Sequence, residues 1–128
     1  MRVLVCGGRD EPPERVADWL QANARFKLGI GPQDRLDVIH GAAKGADKGA
    51  ALWASLDALI VTAYPAQWRR PDGTTDRGAG PKRNRQMMAE GRPDAVIAFP
   101  GGAGTADMIS VARAAGIEPI LVRRCLPL

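Results

Sequence analysis

Cysteine and histidine are scarce: two of the first and one of the second in 128 residues. That leaves too few soft ligands for a four-coordinate structural zinc site. Carboxylates do not gather as an oxygen cage for calcium or magnesium requires. Neither a metal nor a cofactor is therefore expected. Cys6 and Cys125 stand at opposite ends of the chain in strand-like settings and read as buried thiols rather than as a disulfide. Long apolar runs are also missing, so no membrane span is expected. The run behind Met1 and Arg2 stops at Gly7, too short for the core of a secretory signal. A cytoplasmic protein without a membrane partner is the expectation.

What is present fits a soluble globular domain. Hydrophobic residues make up 45% and charged residues 25%. The length suits one domain, residues 1–128, with a core of ordinary size. The net charge of +4, from 18 basic and 14 acidic residues, suits an anionic ligand without indicating nucleic acid by itself.

The most informative stretch is Asp94 to Met108. An apolar run of strand length meets the loop Pro100-Gly101-Gly102-Ala103-Gly104-Thr105, and the loop opens a helical segment. Strand, glycine turn and helix start together make an anion-binding device, because glycine lets backbone N–H groups approach a phosphate and the helix start adds unpaired donors and a positive dipole end. The alternative is a tight turn that needs glycine and binds nothing. Glycine-rich loops also follow the first strand, as Gly7-Gly8-Arg9-Asp10, and the second, as His40-Gly41 through Gly45-Ala46-Asp47.

Along the chain, strands are expected at 2–6, 36–40, 59–64, 94–99 and 119–122. The first helix begins at Pro12 and Pro13 and runs to about Leu28; a second carries Leu52, Trp53 and Leu56. A third starts near Gly80-Pro81 with Met87 and Met88 inward, and a fourth presents Met108, Val111, Ala112 and Ala115 on one face. Residues 66–80 read as a long mobile loop. The strand–helix alternation, without hairpin signals, predicts an α/β, Rossmann-like three-layer domain with a mainly parallel sheet of about five strands. In such sheets ligands bind beyond the carboxyl ends of the strands, where strand order reverses, and the three glycine loops lie at those ends.

These loops carry a family resemblance. Cys6 to Asp10, His40-Gly41 with Gly45-Ala46-Asp47, Pro65-Ala66 with Trp68, Gly80-Pro81 with Arg83-Asn84-Arg85 and Met87, and Phe99 to Met108 stand in an order that resembles the YspA-like branch of the SLOG superfamily. Those are small Rossmann-like domains often carried by bacteria and phages, related to the lonely-guy (LOG) phosphoribohydrolases and to DNA-processing protein A. The resemblance covers nearly the whole chain and implies a nucleotide or nucleotide-derived ligand; it also implies a homo-oligomer, since the LOG relatives form dimers. LOG enzymes hydrolyse the N-glycosidic bond of a nucleoside 5′-monophosphate. Their Pro-Gly-Gly-x-Gly-Thr loop is matched by Pro100 to Thr105 and their helix arginine by Arg83, but their glutamate falls on Met108. A carboxylate is needed to stabilise the oxocarbenium-like state or act as base. Its neighbour Asp107 points about 100° away on a helix.

The expected ligand-binding residues are thus Pro100, Gly101, Gly102, Gly104 and Thr105, then Gly7, Gly8, Arg9 and Asp10, with His40, Gly41, Gly45 and Asp47 from the second loop. Trp68, Arg83 and Asn84 complete the set; Arg83 and Asp107 are the candidate catalytic pair, with Asp10 or Asp47 as the alternative carboxylate. Several have plainer readings: Arg9 as a solvated side chain, His40 as a turn histidine bonded to backbone, Asp47 as a carboxylate at a helix start, Trp68 as packing for its loop. Six basic residues stand between positions 69 and 85, either a solvated face or an anion-attracting lid. The leading expectation is a sensor or carrier that binds a nucleotide through its glycine loops. The alternatives are a LOG-like nucleoside 5′-monophosphate N-glycosidase and, after it, a single-stranded nucleic-acid binder using Trp68 and the basic loop.

Overall fold

The computed structural model describes residues 1–123; Cys125 lies outside them. Five parallel strands form one sheet in the order β3-β2-β1-β4-β5. They are β1 Arg2–Cys6, β2 Asp37–His40, β3 Ile60–Ala63, β4 Ala95–Ala98 and β5 Ile120–Leu121. Between them run α1 Pro13–Leu28, α2 Ala46–Leu56, α3 Ala79–Gln86 and α4 Ala103–Ala114. A π-helical turn, Met87–Gly91, continues α3. The expected α/β, Rossmann-like architecture is therefore the one found.

Successive residues of a strand face opposite sides of the sheet, and β1 shows how this divides the core. Val3 and Val5, with Ile97 and Phe99, face α1 and α2 over Leu20, Trp53 and Ala50. Leu4 and Cys6, with Val96 and Ala98, face the other side, over Met87, Met108 and Ala112. Both faces of β1 and β4 are covered, so these two strands read as continuous apolar runs. β3 is the outer strand, and Ile60 remains 59% exposed.

The helix ends follow local chemistry. α1 has proline at its first turn and ends at Gly29, whose φ of 69° lies in the left-handed region that favours glycine. α1 and α2 pack closely at Gly49, where an added Cβ would sit 2.8 Å from the Pro13 carbonyl oxygen. One sequence expectation needs correction. Ala115 does not share the buried face of α4; the helix ends at Ala114 and Ala115 is its exposed cap. Residues 66–80, read from the sequence as a long mobile loop, carry local bonds of their own. Arg69 and Thr75 form an antiparallel bridge, the Asp76 N–H donates to the Trp68 carbonyl at 2.6 Å, and the Arg70 N–H donates to the Thr74 carbonyl at 2.8 Å. Asp72 accepts from the Thr74 N–H and hydroxyl, and Asp76 accepts from Lys82, so short-range polar contacts replace the missing apolar pattern.

From β1 the chain crosses to β2 on one side, and from β4 it crosses to β5 on the other. Strand order thus reverses between β1 and β4, and the crevice expected at such a point opens beyond their carboxyl ends.

Candidate functional site

Three loops meet at this reversal, and glycine is what lets them meet. The Gly8 N–H donates to the Pro100 carbonyl at 2.8 Å, and the Gly8 carbonyl accepts from the Ala46 N–H at 3.1 Å. One residue thereby ties the loops after β1, β4 and β2. A Cβ on Gly7 would lie 2.6 Å from Ala46 Cβ and 2.7 Å from Phe99 Cβ. Gly45, at φ 75°, packs against the backbone of Gly8 and Arg9. Gly101 packs against Thr105 and the Gly8 nitrogen. Gly102 and Gly104 are different: a Cβ on either would have nothing within 4 Å among the described residues. Packing requires the first four glycines and leaves the last two with open space in front of them.

That space belongs to a cleft of about 800 Å³. Gly7 to Glu11 form one wall and Pro100 to Thr105 the facing wall. Asp47, Arg83 and Asn84 come from α2 and α3, Trp68 and Arg77 from the bridged loop, and Cys6, Met87 and Met108 from the sheet and helices behind. α4 starts inside it. Its cap residue, Gly102, supplies no side-chain bond, and the first backbone bond at this end runs from the Ala106 N–H to the Gly102 carbonyl. The N–H groups of Ala103, Gly104 and Thr105 therefore have no partner within the helix, and the positive end of the helix dipole faces the cleft.

The polar side chains around this end hold one another. Asn84 is buried and donates to the Gly104 carbonyl at 3.2 Å and to Asp107 Oδ2 at 3.0 Å. It fixes the first turn of α4 against α3. Arg85 adds an ion pair to Asp107 at 3.2 Å. The Asn84 hydrogen bond first, and then Arg85, hold the Asp107 carboxyl below its ordinary value. Met108, 1% exposed, packs into the core cluster of Leu4 and Met87. Arg83 donates Nη1 to the Gly41 carbonyl and Nε to Asn84 Oδ1. Arg9 lies over the Trp68 ring, 6.0 Å from its centroid.

The second loop is organised around Asp47. This buried carboxylate accepts from the N–H groups of Gly41 and Ala43, each at 3.1 Å. Burial raises its pKa, opposed by those donors and by His40 and Arg83. His40 Nδ1 accepts from the Ala42 N–H at 2.9 Å, and burial lowers the histidine's pKa. Cys6, at the back of the cleft, is a free thiol pushed up to about 12 by burial, hence an unreactive one.

Of the residues expected from sequence, fourteen line the cleft: Gly7, Gly8, Arg9, Asp10, Asp47, Trp68, Arg83, Asn84, Pro100, Gly101, Gly102, Gly104, Thr105 and Asp107. Gly41, Gly45 and His40 do not. Gly41 accepts from Arg83, Gly45 packs beneath Gly8, and His40 is turned to its own loop. The cleft also includes Glu11, Ala43, Arg77, Pro81 and Ala103. Of these, Arg77 belonged to the basic cluster; Glu11 and Ala43 carried no signal beyond adjacency to a glycine loop. No protein-family model matches the chain, and no curated protein matches it.

Proposed function

We propose that the protein binds a nucleotide or nucleotide-derived ligand in this cleft, with a phosphate on the start of α4, and acts as a sensor or carrier. The observation that carries the reading is the open N-terminus of α4 at the reversal of strand order, faced by Gly102 and Gly104, which no packing contact requires to be glycine. Arg9 and Arg83 on the adjoining walls supply charge. The resemblance to SLOG domains points the same way.

Binding without cleavage is favoured by the carboxylates. The position of the LOG glutamate is Met108, packed in the core; Asp107 is committed to Asn84 and Arg85, and Asp47 to the Gly41 and Ala43 N–H groups, which leaves Asp10 as the alternative carboxylate without such bonds among the described residues. A single-stranded nucleic-acid role is disfavoured by the basic cluster itself. Arg70 and Lys82 share Asp76, and Arg85 pairs with Asp107, so half of the six cations between 69 and 85 are already engaged in ion pairs.

A thermal-shift screen against nucleoside mono-, di- and triphosphates, dinucleotides and short single-stranded DNA tests this. A ligand at 100 times its dissociation constant adds about 2.7 kcal/mol, several degrees in a domain of this size. The expected result is a shift by a nucleotide that disappears in Gly102→Val. A salt-sensitive shift with DNA alone would refute the proposal.

A further inference from the structure

A second, smaller cavity of about 220 Å³ adjoins the main cleft and shares Arg9, Ala43, Trp68 and Arg83 with it. Its charge differs from that of its neighbour. The main cleft is lined by three cations, Arg9, Arg77 and Arg83, against four carboxylates, Asp10, Glu11, Asp47 and Asp107. Among the described residues, the side cavity is lined by the cations Arg9, Lys44 and Arg83 and by no carboxylate. None of these three cations is in an ion pair among the described residues. Like charges bordering one small space repel; Asp47 offsets Arg83 from outside the lining, and an anion between the three cations relieves what remains. The backbone there is also constrained: Ala42 adopts a φ of 56°, a conformation that costs a non-glycine residue energy, and is held in it by the bond to His40. That turn directs the Gly41 and Ala43 N–H groups inward to Asp47, leaving Arg9, Lys44 and Arg83 as the charged residues that line the cavity.

We infer that this cavity takes a second phosphoryl group of the same ligand, with the first phosphate on α4. The inference rests on the nucleotide reading above and narrows it. The ligand class becomes a nucleotide with at least two phosphoryl groups, such as a bisphosphate, a polyphosphate or a pyrophosphate-bridged dinucleotide. Arg9 and Arg83 border both cavities and would contact both groups; Lys44 borders the second alone.

The experiment is calorimetric titration of the full chain at fixed ionic strength. The probes are nucleoside 5′-monophosphates of each base, the matching 3′,5′-bisphosphates and 5′-triphosphates, and pyrophosphate-bridged dinucleotides. Wild type is compared with Lys44→Gln, an exposed loop position whose substitution leaves the core untouched. A charge-assisted contact corresponds to about a tenfold change in affinity or more. At least one doubly phosphorylated probe is expected to bind at least about tenfold more tightly than its monophosphate, and Lys44→Gln to reduce that ratio about tenfold. If monophosphates bind and no other probe binds more tightly, or if the ratio is unchanged in Lys44→Gln, this inference fails and the nucleotide reading stands. If no probe binds, both fail.

Discussion

Replacing Gly104 with alanine is expected to move stability and ligand affinity in opposite directions. Gly104 is the second residue of α4, and a Cβ there has open space around it. Glycine within a helix costs about 0.5–1 kcal/mol relative to alanine, mostly in backbone entropy. Gly104→Ala should therefore raise the unfolding free energy of the free protein by up to about 1 kcal/mol, moving the midpoint up by about 2–4 °C. Its carbonyl bond from Asn84 is a backbone contact and survives. The new methyl, however, tilts toward the helix N-terminus, into the space proposed for the phosphate. Losing one N–H contact to a charged oxygen costs about 1.5–3 kcal/mol, roughly a tenfold to hundredfold loss of affinity. Gly101→Ala supplies the contrast. Its methyl would meet Thr105 and the Gly8 nitrogen, so it should lower stability by about 1–3 kcal/mol with no ligand present. Urea unfolding and calorimetric titration of both variants measure the two effects. A Gly104→Ala protein that is more stable and binds its nucleotide as well as wild type would refute the placement of the phosphate.

His40 is the sole histidine, and burial holds its pKa below 6.5 in the folded state. The unfolded chain takes up that proton first, so the stability it contributes is complete above pH 6.5 and is lost as pH falls below that value. His40→Asn, which retains an acceptor for the Ala42 N–H, should flatten this part of a urea-stability profile against pH; an unchanged slope would exclude His40 as its source. Asn84→Ala should cost about 1–3 kcal/mol, because it removes donors to the Gly104 carbonyl and Asp107 from a buried position. It should also weaken nucleotide binding by releasing the first turn of α4, and a stable variant with full affinity would contradict that. Incubation with nucleoside monophosphates should release no free base by chromatography. Base release by wild type that disappears in Asp107→Asn would show Asp107 to be catalytic.

Much of the architecture was legible because a parallel sheet makes simple demands on sequence. Strands covered on both faces need continuous apolar residues, and Val3 to Cys6 and Ala95–Ala98 show them. Glycine and proline marked the helix ends, as at Pro13 and Gly29. Strand order was not legible, since nothing within the run at Ile60–Ala63 distinguishes an outer strand from an inner one. The order of bonds in residues 68–76 was hidden for a related reason: aspartate and threonine there bond to backbone a few residues away, which leaves no apolar period to read. The glycine loops identified the cleft, but not which glycines are needed for packing. Gly101 and Gly102 are adjacent, yet only the first is crowded, and that depends on where Gly8 and Thr105 fall in space. The commitment of Asp107 to Asn84 and Arg85, and the cationic cavity of Arg9, Lys44 and Arg83, also join segments far apart in the chain.

The most direct measurement is a nitrogen–proton correlation spectrum of the labelled protein during titration with the nucleotide that gives the largest thermal shift. A phosphate on the start of α4 should move the amide resonances of Ala103, Gly104 and Thr105 first and furthest, with Gly8 following through its bond to Pro100. Shifts confined to residues 66–78, with those three amides unmoved, would contradict the central claim.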